Sequence, residues 1–277
     1  MLQKTENNRI KILVIYYIVI VLWWLLLFFL GSENNLNNYL FVFFYGVIPF
    51  MGGIFGIINS KKWGFLKSAI GKSMLFISLG LISWAIGESI WSFYNIFLNV
   101  EVPYPSLADA GYILSWPLWG IGMYYLSKAT GAKYGLRSSV GKSLLLIIPI
   151  IVTIASYYLL VVVARGGVLT ESLGDYLKLF FDLAYPVGDV IILTVALLIF
   201  GLSFKYLGGK FKTSIYLIIM GFIINYLADF SFSYTTTLET YFSGNWVDLL
   251  FTTALFILSL GVCLFDPATL NKKEASK

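Results

Sequence analysis

Ile12-Leu-Val-Ile-Tyr-Tyr-Ile-Val-Ile-Val-Leu-Trp-Trp-Leu-Leu-Leu-Phe-Phe-Leu30 runs without one charged side chain. A helix needs about 20 mostly apolar residues to cross a bilayer, and this stretch supplies them. It is too long for the roughly 7–15-residue core of a cleaved signal peptide, and no small-residue cleavage site follows it. Seven more apolar stretches come after it, at about 39–58, 71–98, 108–127, 143–164, 177–204, 213–236 and 246–265. The expected fold class is an all-α integral membrane protein with eight transmembrane helices. Composition agrees, because 59% of the 277 residues are hydrophobic and 12% are charged. A soluble domain carries roughly 45–50% and about 25%. So little charge cannot cover a soluble globule of this size, which excludes a cytosolic enzyme. The period-two alternation of a membrane barrel is absent as well.

The basic residues test the count, since Lys and Arg collect in cytoplasmic loops. With the N-terminus inside, Lys4, Arg9 and Lys11 precede the first helix. Lys61, Lys62, Lys67 and Lys72 fall in the next inner loop, then Lys128, Lys133, Arg137 and Lys142, then Lys205, Lys210 and Lys212. Lys272, Lys273 and Lys277 close the chain. Of the 19 basic residues only Arg165 and Lys178 are left outside. Both termini are therefore expected in the cytoplasm. The net charge of +5 expresses this orientation, and no basic patch is interleaved with stacking aromatics, so no nucleic-acid partner is expected.

The two halves resemble each other. Tyr39-Leu-Phe-Val-Phe-Phe-Tyr-Gly-Val-Ile-Pro49 aligns with Tyr176-Leu-Lys-Leu-Phe-Phe-Asp-Leu-Ala-Tyr-Pro186. Further on Leu79-Gly80 meets Met220-Gly221, Glu88 meets Asp229, and Ser106-Leu-Ala-Asp109 meets Asn245-Trp-Val-Asp248. Four helices used twice insert the same way up, so a 4+4 parallel internal repeat is expected, about an axis near the membrane normal. The resulting divisions are a first repeat over 1–136, a second over 137–265 and a cytoplasmic tail over 266–277.

Most acidic residues fall in outer loops or in the outward halves of helices. An ionisable group on a spanning helix costs about 2.5–3.5 kcal/mol even on lenient insertion scales, so it normally faces a bundle interior or a watery cavity. Helical spacing gathers these groups into stripes. Trp84, Glu88, Trp91 and Asn95 share one face, as do Lys178, Asp182, Tyr185 and Asp189. Asn225, Asp229 and Ser233 form a third, and Asp109, Tyr112, Trp116 and Trp119 a fourth. The expected ligand site is one outward-opening cavity formed by Glu88, Asp189 and Asp229 with Trp84, Trp91, Tyr112 and Tyr185. Asp109, Asp182 and Asp248 are secondary members. Such a mixture suits an organic cation, through ion pairing and cation–π contact, or an oxygen-ligated inorganic cation. Structural roles compete with this reading. Asp109 and Asp248 stand where helix caps belong, Lys178 and Asp182 are spaced to neutralise each other, and boundary aromatics form interfacial belts. Glu88, Asp189 and Asp229 also suit hydrogen bonds between packed helices.

Histidine is absent and Cys263 is the only cysteine. That removes zinc–histidine sites, Ser–His triads and internal disulfides. No lysine lies mid-span for a retinal Schiff base. No catalytic residue and no cofactor are expected, and the identity of any metal stays open.

Gly87-Glu-Ser-Ile-Trp91, Pro103-Tyr-Pro-Ser-Leu-Ala-Asp-Ala-Gly-Tyr112, Trp116-Pro-Leu118, Ala184-Tyr-Pro-Val-Gly-Asp189, Leu227-Ala-Asp229 and Trp246-Val-Asp-Leu-Leu250 carry a resemblance. Over roughly residues 70–265 the chain resembles the multi-helix N-terminal membrane regions of bacterial and archaeal signalling proteins. Those regions precede diguanylate cyclase, phosphodiesterase or histidine kinase domains. The resemblance implies a sensor-like module in a prokaryotic plasma membrane, with Glu88, Asp109, Asp189, Asp229 and Asp248 on the family's recurring polar positions. About a dozen residues follow the last helix here, so the expectation is a module that acts through a cytoplasmic signalling partner. A small ion-coupled carrier is the alternative, since duplicated bundles with carboxylates at membrane depth suit alternating access. A membrane scaffold or assembly factor is the third reading.

Overall fold

Among the described residues of the computed structural model, which are 2–168, 176–203 and 211–266 with side chains from 8 onward, every regular element is helical. The order is α1 (Leu2–Phe29), α2 (Leu36–Tyr45), α3 (Val47–Lys62), α4 (Ala69–Phe93), α5 (Leu107–Ala129), α6 (Ala132–Gly135), α7 (Ser139–Ser156), α8 (Tyr176–Ser203), α9 (Lys212–Thr237) and α10 (Trp246–Leu264). π-helical turns extend α4 over Tyr94–Leu98 and α7 over Tyr157–Val163. Short polar residues start the helices by accepting orphaned N–H groups. Asn35 accepts from Asn37 N at 2.9 Å, Ser68 from Gly71 N at 2.8 Å and Ser138 from Gly141 N at 3.0 Å.

Seven helical stretches are long and apolar enough to cross a membrane: Asn8–Phe29, Leu36–Lys62, Ala69–Leu98, Ser139–Val163, Tyr176–Ser203, Lys212–Thr237 and Trp246–Leu264. Their outward faces are mostly apolar, as Ile15, Leu22, Leu26 and Phe29 of α1 and Leu146, Ile150 and Ile154 of α7 illustrate. That is the surface of a multi-pass membrane protein. The eighth expected stretch, α5, differs. Its 23 residues rise about 35 Å, yet Trp, Tyr and Gly replace much of the aliphatic content, and it falls short of the other seven in hydropathy.

The expected helix over 39–58 is two helices meeting at Gly46. Pro49 has no N–H to offer the carbonyl of Tyr45, so the turn there lacks a rung. Glu88 packs against Gly46, where a Cβ would stand 2.9 Å from its Cγ. The same defect has another outcome in α8. Pro186 leaves the carbonyl of Asp182 without its helical donor, the helix runs on, and Arg165 Nη1 donates to that carbonyl at 3.0 Å.

Glycines set the closest helix crossings. A Cβ on Gly122 of α5 would meet Cγ1 of Ile77 at 2.6 Å and the Ser73 carbonyl at 3.3 Å on α4. On Gly261 of α10 it would meet Cγ1 of Ile218 at 2.7 Å and the Ser214 carbonyl at 3.2 Å on α9. α3 packs on α4 and α10, and α8 packs on α9 and α5. At the far end of α3, Asn59 Nδ2 donates to the carbonyls of Val262 and Cys263 at 3.0 and 2.9 Å, and Trp63 Nε1 donates to that of Phe265 at 2.8 Å. These bonds satisfy the carbonyls that the end of α10 leaves open. Lys62 pairs there with the fully buried Asp266. Lys205, Lys210, Glu171, Asp175 and the tail beyond Asp266 lie outside the described residues.

Candidate functional site

Consecutive long helices run antiparallel, so the C-terminal halves of α4 and α9 and the N-terminal halves of α5, α8 and α10 meet at one end of the bundle. A cavity of about 980 Å³ opens there, and the 99–104 and 239–243 connections contribute to its lining. All ten residues singled out from the sequence line it: Glu88, Asp109, Asp182, Asp189, Asp229, Asp248, Trp84, Trp91, Tyr112 and Tyr185. Glu101 and Glu239 join from the connections, and the lining bases are Arg165 and Lys178. Among the described residues, eight carboxylates against two bases leave a formal surplus of six negative charges.

The carboxylates are held in different ways. Asp109 is the third residue of α5 and completes a capping box: its Oδ2 accepts Ser106 N at 2.6 Å, and Ser106 Oγ accepts Ala108 N. The same carboxylate reaches the cavity, because Oδ1 accepts the Tyr185 hydroxyl at 2.7 Å. Asp248 repeats the pattern on α10, with Oδ2 accepting Gly244 N at 2.6 Å and Oδ1 accepting the Tyr241 hydroxyl at 3.1 Å. Capping and cavity lining are thus one arrangement at both positions. Asp182 accepts the Tyr104 hydroxyl at 2.9 Å. Glu88, 3% exposed, accepts the Tyr112 hydroxyl at 3.1 Å, and Tyr45 lies beside it.

Asp189 and Asp229 lie beside each other in the cavity wall. Asn225 Nδ2 supports Asp229 at 2.7 Å. Asp189 Oδ1 has no hydrogen-bond partner, although the residue is only 3% exposed. Among the described residues no group of three or more His, Cys, Asp or Glu side chains is arranged to hold a metal ion.

Several lining residues were not singled out from the sequence: Tyr45, Tyr104, Tyr241 and Arg165. Tyr104 and Tyr241 lie in connections, and burial together with Asp182 beside the first and Asp248 beside the second raises their phenols above the ordinary value. Both remain hydroxyl donors at neutral pH. For Tyr45 a signal existed, since the internal alignment sets it opposite Asp182.

Below the carboxylates the helices close on an aromatic floor. Trp84 packs against Tyr112, Trp119 and Phe251 at centroid distances of 4.8, 5.8 and 5.4 Å. Trp119 is fully buried and meets Phe222 at 5.4 Å and Trp116 at 5.9 Å. Trp116 and Trp119 continue the stripe of Asp109 and Tyr112 as expected, but they lie beneath the cavity and do not line it.

Comparisons with family models, with curated proteins and with solved structures find no match.

Proposed function

We propose that this chain is a sensory module of the plasma membrane that binds a small organic cation in an outward-facing cavity and signals to a cytoplasmic partner. The observation that carries the reading is the cavity: six carboxylates on helices, two more on its connections, and aromatic walls around them. Its volume lies within the range of small-molecule pockets, roughly 300–1,000 Å³. Carboxylates and aromatic rings together select a cation. The aromatic floor favours a receptor over a carrier, since a carrier needs a route onward from the site. Increasing concentrations of alkylammonium and aromatic amines should raise the melting temperature of the protein in lipid nanodiscs. A ligand at a hundred times its dissociation constant contributes about 2.7 kcal/mol. Stabilisation by carboxylic acids or neutral sugars instead, or by none of the three classes, would overturn the cation reading.

In this reading α5 is the eighth span, both termini are cytoplasmic, and the halves are duplicates. Two supports are independent of composition. α5 has the length to cross, with one end at the cavity and the other among Lys128, Lys133 and Arg137. The Gly122–Ile77–Ser73 crossing recurs as Gly261–Ile218–Ser214, each residue shifted by the offsets that align the two halves. Cysteines placed at the exposed positions Glu101 and Lys133 flank α5, while native Cys263 is buried. Membrane-impermeant maleimide added to intact cells should label Glu101→Cys and spare Lys133→Cys. Labelling of both from outside leaves seven spans and removes the topology.

A further inference from the structure

At the end of the bundle opposite the cavity, one apolar stretch begins at Ser139 and another stops at Ser203. The connection from α5 to α7 lies level with these ends and is pinned to them. The Ser203 hydroxyl donates to Thr130 Oγ1 at 2.9 Å. Gly135 lies directly on the Leu202 carbonyl, and Gly141 on the Gly135 carbonyl, with no room for a Cβ at either. Gly131, at a φ of 78°, turns the chain into α6 between them. Ser138 closes the connection by donating to the Gly135 carbonyl at 2.8 Å and accepting from Gly141 N at 3.0 Å. Side chains carried on such a connection stand in fixed places at the level of the lipid headgroups.

Those side chains are bases. Lys133 and Arg137 both lie over the ring of Tyr134, each charge 5.1 Å from its centroid. They therefore stand at most twice that distance apart. Both are exposed, as is Tyr134. No Asp or Glu occurs from Ala110 to Thr170, and among the described residues no carboxylate pairs with either base. An exposed cation–π contact is weak and neutralises nothing, so two like charges share one ring and repel. An anion beside them relieves that repulsion. The guanidinium fork matches phosphate oxygens bidentately, and the ammonium adds a point charge. At headgroup level the phosphate at hand belongs to a lipid, and an amphipathic ring such as Tyr134 sits naturally there. Val140 and Leu146, both 67% exposed, lead from this place along an apolar face of α7.

We infer that the α5–α7 connection seats an anionic phospholipid, its phosphate at Lys133 and Arg137 beside Tyr134 and an acyl chain along the exposed face of α7. The seat is independent of the cavity and of what binds there. It differs from the general attraction of a basic rim for an anionic leaflet, because it belongs to two bases held over one ring and not to the sum of charges at that end.

The test is native mass spectrometry of the full chain, delipidated in an uncharged detergent and titrated with phosphatidylglycerol or with phosphatidylcholine of the same acyl chains. The first phosphatidylglycerol should bind about tenfold tighter or more than phosphatidylcholine. Lys133→Gln/Arg137→Gln should bring it down to the phosphatidylcholine level. Lys61→Gln/Lys67→Gln removes two exposed charges from the same end of the bundle and should keep the preference. Arg137→Gln alone replaces the first pair if that pair does not yield a monodisperse protein, and should remove most of the preference. Equal losses from the two pairs, or no preference in the unaltered chain, overturn the seat. Displacement of the lipid by millimolar inorganic phosphate, or by a poly-glutamate peptide, overturns the assignment to a lipid and gives the face to a free anion or to an acidic protein segment.

Discussion

Lys62→Met should lower the unfolding free energy by about 3 kcal/mol or more, the cost of taking one partner from a buried ion pair. Asp266 is fully buried and pairs with Lys62, whose side chain is 26% exposed. Methionine keeps the aliphatic stem of Lys62 and removes its charge, so the carboxylate stays in the protein without that cation. Asp266→Asn should be milder, about 1 kcal/mol, because a neutral amide costs less to bury and still hydrogen-bonds. The double variant Lys62→Met/Asp266→Asn should recover most of the loss, since neither charge remains. Denaturant unfolding in detergent micelles measures all three. Equal losses in the two single variants would show that Asp266 does not depend on Lys62. The pair lies beside the Asn59 and Trp63 bonds to the end of α10, so the loss should also show as earlier release of that helix in hydrogen exchange.

Gly122→Ala is the second large effect, with an expected loss of about 1–3 kcal/mol from overpacking. Its new Cβ would stand 2.6 Å from Ile77 Cγ1 and 2.9 Å from the Ile77 backbone nitrogen. A side chain can turn away, but backbone cannot, so α4 and α5 must part. Gly261→Ala should lose a similar amount, with Ile218 in the place of Ile77. Gly120 supplies the control, two residues away on the same helix. The nearest atom to a Cβ there is Ile192 Cδ1 at 4.0 Å, so Gly120→Ala should be neutral or gain up to about 1 kcal/mol in helix propensity. Thermal unfolding of the three variants decides the matter. If Gly122→Ala and Gly120→Ala behave alike, the α4–α5 crossing is looser than described.

Helical periodicity made much of the site legible. The spacing of Trp84, Glu88 and Trp91, and of Asp182, Tyr185 and Asp189, depends only on 3.6 residues per turn, and the structure brings these faces to one cavity. The capping role of Asp109 was legible for a similar reason, because a helix cap is local. Contacts across the bundle were hidden. Tyr104 and Tyr241 sit in connections, where no period says which way a side chain turns. Arg165 read only as a base left outside. Its role follows from Pro186, whose missing N–H opens the Asp182 carbonyl, and that requires knowing that the two segments are neighbours. The break at Gly46 was foreshadowed by Pro49, but the same residue type left α8 continuous at Pro186. Neighbouring packing decides that difference, and a single chain read in order does not contain it. The polarity of α5 reflects its partners too, since it carries the aromatic floor and the Gly122 crossing.

The depth of Glu88 has an electrical consequence. Its span ends at Leu98, ten residues further on, which is about 15 Å of helix. In the topology proposed above, a cation arriving from outside has descended through part of the membrane's voltage drop before it meets that carboxylate. A charge crossing the whole drop exchanges about 2.3 kcal/mol per 100 mV. An energised cell, negative inside, therefore holds the cation more tightly than a depolarised one at the same external concentration. Occupancy becomes a joint reading of concentration and voltage.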